Sequence, residues 1–158
     1  MKDNKIDNIF IINKQRKFVL NKKKIKTLAR FVLSEENVDN STGINLMFTG
    51  NTKIREFNKK FLNCDTPTDV ISFEGEINNG TAGDVVISVE KAAEFSSQNN
   101  INFNEELERY IVHGILHCLG YDDINPTNKK KMFKRQEHIL KKWAEIQTEN
   151  VFTVLPRV

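Results

Sequence analysis

The sequence has very little cysteine and no long apolar run. Its two cysteines, Cys64 and Cys118, are far apart and form no Cys-x-x-Cys pair, so neither a thiolate zinc site nor a disulfide framework is indicated. We expect both to be small buried or half-buried side chains. No apolar run approaches the roughly 20 residues that a membrane helix needs, and the short run at 9–12 is too brief for a signal-peptide core. The pattern predicts a cytoplasmic protein without a membrane segment.

Repeats, linkers and low-complexity tracts are also absent from the 158 residues, a length that suits one domain. Hydrophobic residues make up 39% and charged residues 28%, with eleven Phe, which excludes the apolar-poor composition of disordered proteins. We therefore predict a single domain over 1–158, in which the tail at 150–158 matches no element. The net charge of +3 permits a polyanionic partner without requiring one.

Apolar periodicity predicts strands and helices that alternate early in the chain and helices that dominate later. Strands are predicted at 6–12, 43–50, from about 69 to 73, and 83–89, and the last two are expected to pair. Helices are predicted at 21–38, 51–63, 90–100, 102–119 and 126–146. The fold class is therefore α/β, or α+β, with a small mixed sheet of about four strands packed against helices.

Two sets of basic residues flank these elements. Lysines at 22–24 fall in the first turn of their helix, where they oppose the helix dipole, so solubility or an anionic partner must explain them. In the last helix an apolar stripe that includes Ile146 is predicted to pack, while the basic residues, among them Arg135 and Lys142, stay in solvent.

Two of the three histidines, His113 and His117, lie one turn apart on one predicted helix. Residues at i and i+4 project from the same helix face with β-carbons about 5 to 6 Å apart, so both imidazoles can reach one metal ion. Gly120 turns the chain after the helix, and Asp123 in the following loop is the leading candidate for a third ligand. The alternative is a pair of histidines that merely lie close together. His138 is another possible ligand, but its place on the basic face of the last helix predicts exposure.

The string around these histidines, His113-Gly-x-Leu-His117-x-Leu-Gly120-Tyr121-Asp122, resembles the signature of the YbeY family. Three further matches follow the family's order and spacing, so that the resemblance covers roughly residues 40 to 140. They are Asp65-x-Pro67-Thr68-Asp69-Val70-Ile71-Ser72-Phe73, Gly83-Asp84-Val85-Val86-Ile87-Ser88, and Met132 with Glu137 before Ile139-Leu140.

The resemblance implies an α/β fold around a zincin-like metal-binding helix and a zinc ion, for which nickel or iron could substitute. It implies a metal-dependent endoribonuclease that cuts single-stranded RNA in 16S rRNA 3′-end maturation and ribosome quality control. Ribosomal RNA and the small ribosomal subunit would be its partners, while the oligomeric state stays open. His113, His117 and Asp84 are the candidate catalytic residues, and His113, His117 and Asp123 the candidate ligands. Tyr121, Asp122 and Asp69 are expected to support the ligands or line the site.

The chain departs from the family pattern at two positions. Asp123 stands where a third His normally follows, and an anionic ligand should make the metal a weaker Lewis acid. Phe61-Leu62 replaces a tyrosine-arginine pair, and leucine cannot hold phosphate oxygens as a guanidinium does. Three nearby cations could bind RNA in its place or be ordinary exposed residues: Arg55, Lys59 and Lys60.

Two other functions remain open. The first is a ribosome-associated assembly factor whose catalysis is weak or lost, which the leucine at position 62 favours. The second is a metallopeptidase, which Gly114 disfavours because zinc peptidases of the His-Glu-x-x-His kind carry their general base at that position.

Overall fold

A computed structural model describes residues 7–147 and 152–157 of the chain. The strands are β1 (Ile9–Asn13), β2 (Phe18–Leu20), β3 (Gly43–Thr49), β4 (Val70–Glu74), β5 (Thr81–Ser88) and β6 (Val154–Pro156). The helices are α1 (Lys22–Glu35), α2 (Asn51–Leu62), α3 (Val89–Asn99), α4 (Phe103–Cys118) and α5 (Pro126–Ile146), with a single 3₁₀ turn at Ile77–Asn79.

Four strands form a mixed sheet in the order β1-β3-β5-β4. β1 and β5 run parallel to β3, whereas β4 pairs antiparallel with β5 and lies at one edge. The predicted fold class, the mixed four-stranded sheet and the pairing of the strands at 70–73 and 83–89 are thereby confirmed.

The helices cover the two faces of the sheet unequally. The larger core joins α1, α4 and α5 to one face, and Leu46, Val85 and Ile87 are among its buried strand residues. On the other face α2 packs through Ile54 against Ile71 and Val86 in a smaller cluster. Because side chains alternate along a strand, Val85 and Val86 serve opposite faces.

Polar residues lie at several helix ends, close to the predicted bounds. The Asn102 side chain accepts a hydrogen bond from the Glu105 backbone N–H at the start of α4, and Asn125 does the same for Asn128 before α5. After α3, Asn100 adopts the left-handed conformation that stops the helix. The first helix is shorter than predicted: it ends at Glu35, and Asn37 is left-handed with φ 57°.

A second, two-stranded sheet was missed by the sequence analysis. β2 pairs antiparallel with β6, so residues 154–156 of the unassigned tail are a strand. Short strands without strong alternation resemble loops until their partner is known, and these two are separated by well over a hundred residues. The part of the first predicted strand at residue 6 lies outside the described residues.

The structure corrects several predictions of which side chains are exposed and which are buried. Lys24 points inward and its Nζ lies 3.4 Å from the buried carboxylate of Glu108, whereas Lys22 and Lys23 are exposed. On α5, Arg135 and Lys142 are half-buried and pair with Glu36 and Glu35 of α1. Ile146 is 54% exposed because it lies at the end of α5, beyond the core. Cys118 is buried as predicted, but Cys64 is exposed.

Within residues 7–147 and 152–157, no helix has the length and apolar content needed to cross a bilayer.

Candidate metal centre

Helix α4 presents His113 and His117 on one face, one turn apart. Their ring centroids are 4.6 Å apart, and the two Nε2 atoms approach to 3.1 Å. The helix can hold them near the sheet because Gly114, between them, has no side chain. A β-carbon at position 114 would lie 2.4 Å from Cγ1 of Val85 and 2.9 Å from Cγ1 of Val70.

The hydrogen-bond partners of the two Nδ1 atoms determine where the imidazole protons lie. Nδ1 of His117 lies 3.0 Å from the backbone oxygen of Tyr121, which can only accept, so this Nδ1 carries a proton. Nδ1 of His113 lies 2.8 Å from Oε1 of Gln136. The amide nitrogen of Gln136 donates to Glu137, which leaves its oxygen to accept from His113.

In the neutral form of each ring both Nε2 atoms are therefore unprotonated, and their lone pairs face each other at 3.1 Å. Two lone pairs at this distance repel unless a proton or a metal ion lies between them. Imidazole nitrogen with its other N–H bonded to a carbonyl or amide oxygen is the usual arrangement of a histidine metal ligand. The donor set fits a divalent transition metal.

Asp123 completes a group of three possible ligands. Its Oδ2 lies 3.7 Å from Nε2 of His117, and the ligand atoms of His113, His117 and Asp123 all lie within 4.8 Å of one another. Gly120, with φ 96°, turns the chain back after α4, and a residue with a side chain would be strained there. His138, by contrast, is exposed on α5 as predicted.

Burial favours the neutral form of His113. Desolvation lowers the pKa of His113, and the neighbouring His117 also lowers it, although Gln136, Asp69 and Asp123 act in the opposite direction. A neutral imidazole is the form that binds metal. The Asp69 carboxylate is therefore close enough to affect the pKa of His113. The same carboxylate accepts a hydrogen bond from the Val70 backbone N–H.

The sequence did not predict the hydrogen-bonded series that runs from Gln136 through Glu137 to Arg109. The Arg109 guanidinium, one turn before His113 on α4, donates to both carboxylate oxygens of Glu137 at 2.8 and 3.4 Å and to Glu106 at 2.8 Å. Hydrogen bonds from Arg109 and Gln136 lower the pKa of Glu137 although burial opposes them. In the sequence, the i, i+4 spacing of Arg109 and His113 was the available signal for this network. Gln136 and Glu137 come from α5, so only the tertiary structure shows that they lie beside α4.

Tyr121 and Asp122 shape the loop that carries Asp123. Tyr121 supports His117 through its backbone oxygen, while its hydroxyl donates to Glu36 at 2.9 Å. The Asp122 carboxylate accepts from the Ile124 N–H and from the side chain of Asn128. Through these contacts both residues hold the loop in place, and Asp122 does not belong to the group of possible ligands that the described residues form.

The Asp84 side chain does not lie at this centre, so the prediction of Asp84 as a catalytic residue is corrected. It alternates with Val85, which packs towards Gly114 of α4, so the Asp84 side chain points to the opposite face of the sheet. There it accepts a hydrogen bond from Asn45 at 2.8 Å.

The candidate RNA-binding cations lie on the outer surface of α2. Arg55 donates to Asp65 at 2.8 Å, and Lys59 lies 3.9 Å from the same carboxylate, so the two cations share one acidic residue. Lys60 lies over the ring of Phe61 at 5.2 Å. Leu62 is 60% exposed and leaves room for a longer side chain.

Cys118 is chemically inert despite its position beside His117. Burial raises the pKa of its thiol to about 12, and its Sγ lies near the backbone oxygens of Phe73 and Asp84. A thiol held in this form is neither a nucleophile nor a metal ligand at neutral pH.

The chain is similar to proteins of one family over most of its length. The family model described as endoribonuclease YbeY matches residues 10–144. Curated endoribonucleases YbeY from Oceanobacillus iheyensis and Sulfurihydrogenibium sp. are both 38% identical to it; the matches cover 73% and 90% of this chain and 83% and 97% of the relatives. The solution structure of TM1509 from Thermotoga maritima superposes with a TM-score of 0.63 at 26% identity, covering 87% of this chain and 90% of the other.

Proposed function

The chain belongs to the YbeY family of endoribonucleases, hydrolases that act on RNA, and from this premise we propose that it cuts single-stranded RNA with a metal ion held by His113, His117 and Asp123. The observation that carries the proposal is the pair of Nε2 lone pairs that converge at 3.1 Å. We further propose 16S rRNA 3′-end maturation and ribosome quality control as its setting, with ribosomal RNA and the small subunit as partners in the cytoplasm.

The protein's own residues do three things in this proposal. His113 and His117 supply neutral nitrogen ligands, because their Nδ1 protons are engaged by Gln136 and by the Tyr121 carbonyl. Asp123, half exposed at 49%, supplies an anionic oxygen from a loop that solvent and substrate can reach. A metal ion bound there supplies Lewis acidity that activates water and polarises a phosphate oxygen.

We propose zinc as the metal. Two imidazoles and one carboxylate form a three-ligand set that leaves a fourth position open, which is typical of catalytic zinc. Nickel or iron can use the same ligands, since affinity order alone does not select among them.

The test is metal analysis of the purified protein combined with cleavage of a single-stranded RNA. We expect about one metal ion per chain in the wild type, and loss of both metal and cleavage in His117→Ala. His138→Ala is the matched control, because His138 is an exposed histidine on α5 that does not belong to the group of possible ligands. Equal cleavage by wild type and His117→Ala, after exclusion of contaminating nuclease, would disprove the catalytic proposal.

Exposed Leu62 supports a second candidate function, an assembly factor that binds the ribosome but cleaves RNA weakly. If the missing guanidinium limits catalysis, Leu62→Arg should raise the cleavage rate by about tenfold or more, whereas Leu62→Gln, which is polar but uncharged, should not. A rate that rises in Leu62→Arg, together with metal-independent binding of the wild type to the small subunit, would favour the assembly factor, whereas an unchanged rate in Leu62→Arg would count against it.

A peptidase is disfavoured on geometric grounds. Position 114 faces the sheet, and even a β-carbon there would collide with Val85, so no glutamate general base can occupy it. The site therefore lacks the base that the His-Glu-x-x-His peptidases use.

A further inference from the structure

The face of the sheet opposite α4 is covered by a helix over only part of its area. One row of side chains across this face is Ile12, Met47, Val86 and Ile71, and α2 packs over its β4 and β5 end. The neighbouring row across the four strands is Phe10, Asn45, Asp84 and Phe73. We call this second row the open row, and Phe10, at its β1 end, is 56% exposed.

Aromatic rings enclose one end of the open row. Phe61 of α2 lies edge-on to Phe73, with ring centroids 5.2 Å apart, and it stacks on Phe57 with an interplanar angle of 15°. These rings, with Met47 and Asp84, line a groove of about 440 Å³ between α2 and the sheet. Phe61 is 49% exposed, and the Lys60 ammonium over its ring is the far end of a flexible side chain, so a flat ligand can lie against the ring when that side chain moves aside.

Two hydrogen-bonding side chains lie beside these rings. Asn45 and Asp84 are direct cross-strand neighbours, and the Asn45 amide donates to Oδ1 of Asp84 at 2.8 Å. Asp84 is exposed, so its carboxylate can accept further hydrogen bonds from a ligand. Covering a carboxylate with apolar protein side chains costs free energy, whereas covering it with N–H donors does not.

The positively charged side chains beside the groove indicate the class of ligand that it binds. Lys60 lies 5.2 Å from the centre of the Phe61 ring, which places an ammonium group at the rim, and Lys53, 5.5 Å from the centre of the Phe57 ring, also pairs with Glu56 at 3.0 Å. Aromatic platforms with cations beside them bind single-stranded nucleic acid, because the rings stack on bases while the cations neutralise phosphates. A four-stranded sheet with exposed aromatic residues is also a known RNA-binding surface.

We infer that the open row and the groove beside it bind a guanine base of single-stranded RNA, with Asp84 as the specificity-determining residue. The Watson–Crick edge of guanine carries two adjacent donors, N1–H and the N2 amino group, which a carboxylate accepts in parallel. It also carries the O6 acceptor, towards which the Asn45 amide can donate. The other three bases lack two adjacent donors on this edge. The inference rests on the proposed function, in that the chain acts on RNA, and it places base recognition on the opposite face of the sheet from the metal ligands.

Binding of fluorescein-labelled heptanucleotides, measured by anisotropy in EDTA, tests the inference. The wild type should bind UUUGUUU at least about tenfold more tightly than UUUUUUU, and UUUIUUU, in which inosine lacks the amino donor, should fall between them. Asp84→Asn should abolish the preference for guanine. Glu145→Gln, at an exposed carboxylate on α5, changes the net charge equally and should keep the preference. Phe61→Leu should weaken binding of UUUGUUU by about fivefold or more, because it removes a stacking surface.

Equal affinity of the wild type for the guanine and uracil oligonucleotides would overturn the inference, and so would an Asp84→Asn variant that keeps the preference. Absence of binding to either RNA, the result expected if this face docks a protein, would also overturn it. Because EDTA removes metal and cleavage from the measurement, the outcome is separate from that of the catalytic proposal.

Discussion

The two imidazoles owe their metal-binding form to atoms that are not ligands. A histidine side chain can carry its single neutral-state proton on either nitrogen, and only the Nδ1–H form leaves Nε2 free to bind a metal. The backbone oxygen of Tyr121 imposes this form on His117. For His113 the same task falls to Gln136, whose amide is oriented by Glu137 and, behind it, by Arg109.

Replacing Gln136 should therefore weaken metal binding without removing a ligand. We expect Gln136→Met to lower metal affinity by about 10- to 100-fold, the usual cost of losing such a supporting hydrogen bond. Competition with a chromophoric chelator measures the affinity, and ¹⁵N chemical shifts of the metal-free His113 ring report its tautomer. Lys134→Met, at an exposed position on the same helix, is the control. Wild-type affinity and tautomer in Gln136→Met would contradict this role.

Asp123 affects the strength of the proposed metal as a Lewis acid. An anionic ligand donates more charge to the metal than a neutral imidazole, so we expect Asp123→His to move the pH midpoint of cleavage downwards. Metal affinity should change as well, since a longer, neutral side chain replaces a carboxylate on an exposed loop. A pH–rate profile and a metal titration measure both effects. If neither differs from wild type, Asp123 is not a ligand.

Helix α4 packs close to the strands beneath it because residue 114 is a glycine. The approach also lets the hydroxyl of Ser72 donate to the backbone oxygen of Gly114 at 2.8 Å, which ties the edge strand β4 to the metal-binding helix. This contact positions the ligand face of α4 relative to the sheet.

Gly114→Ala should destabilise the protein by about 1–2 kcal/mol, although alanine has the higher helix propensity by about 1 kcal/mol. The reason is the collision of the new β-carbon with Cγ1 of Val85. Urea unfolding measures the change, and the Val85→Ala background provides the control. Because that background removes the colliding methyl group, the cost of Gly114→Ala should shrink there. A Gly114→Ala variant more stable than wild type would disprove the close approach.

The small sheet of β2 and β6 joins the tail to the segment between β1 and α1, and contacts of residues 153–154 anchor the tail to α4. Thr153 and Val154 are almost completely buried, and their backbone N–H groups donate to the side chain of Asn104. The Thr153 hydroxyl lies 2.6 Å from the buried Glu108 carboxylate, which also lies 3.4 Å from Lys24 of α1. The tail is thus part of the folded unit.

Ending the chain at residue 151 should cost about 2–5 kcal/mol of unfolding free energy. The loss combines the burial of Val154 with the hydrogen bonds to Asn104 and Glu108. Thermal or urea unfolding measures it. Leu155→Ala, at an exposed position of the same strand, should stay within about 0.5 kcal/mol of wild type. A truncated protein with wild-type stability would show that β6 contributes nothing.

RNA binding by the whole molecule should weaken as salt rises. The chain carries a net charge of +3, and every phosphate that its Lys and Arg residues neutralise releases counterions. We expect a linear fall of log affinity with log salt concentration for a single-stranded RNA. Binding that is independent of salt would exclude the basic residues from the interface.

Local signals were sufficient for the five helices, the four strands of the main sheet and part of the site. The spacing of His113 and His117 predicted a shared helix face, and the predicted helix bounds at 100, 102 and 119 lie within one residue of the observed ones, because helix periodicity and end conformations depend on neighbouring residues alone. Lys24 could not be assigned in this way. Three lysines in a row resemble a solvated turn until the buried Glu108 of another helix is brought to one of them.

The sequence by itself determined which residues can bind metal, where the helices and main strands lie, and to which family the chain belongs, since these depend on residue types at fixed spacings. Only the tertiary structure decided which groups face each other. In the tertiary structure Gln136 sets the tautomer of His113, the Asp84 side chain points away from the metal ligands, and residues 154–156 of the tail form a strand. Each of these depends on contacts between residues distant in sequence, and no local pattern specifies the partner of such a contact.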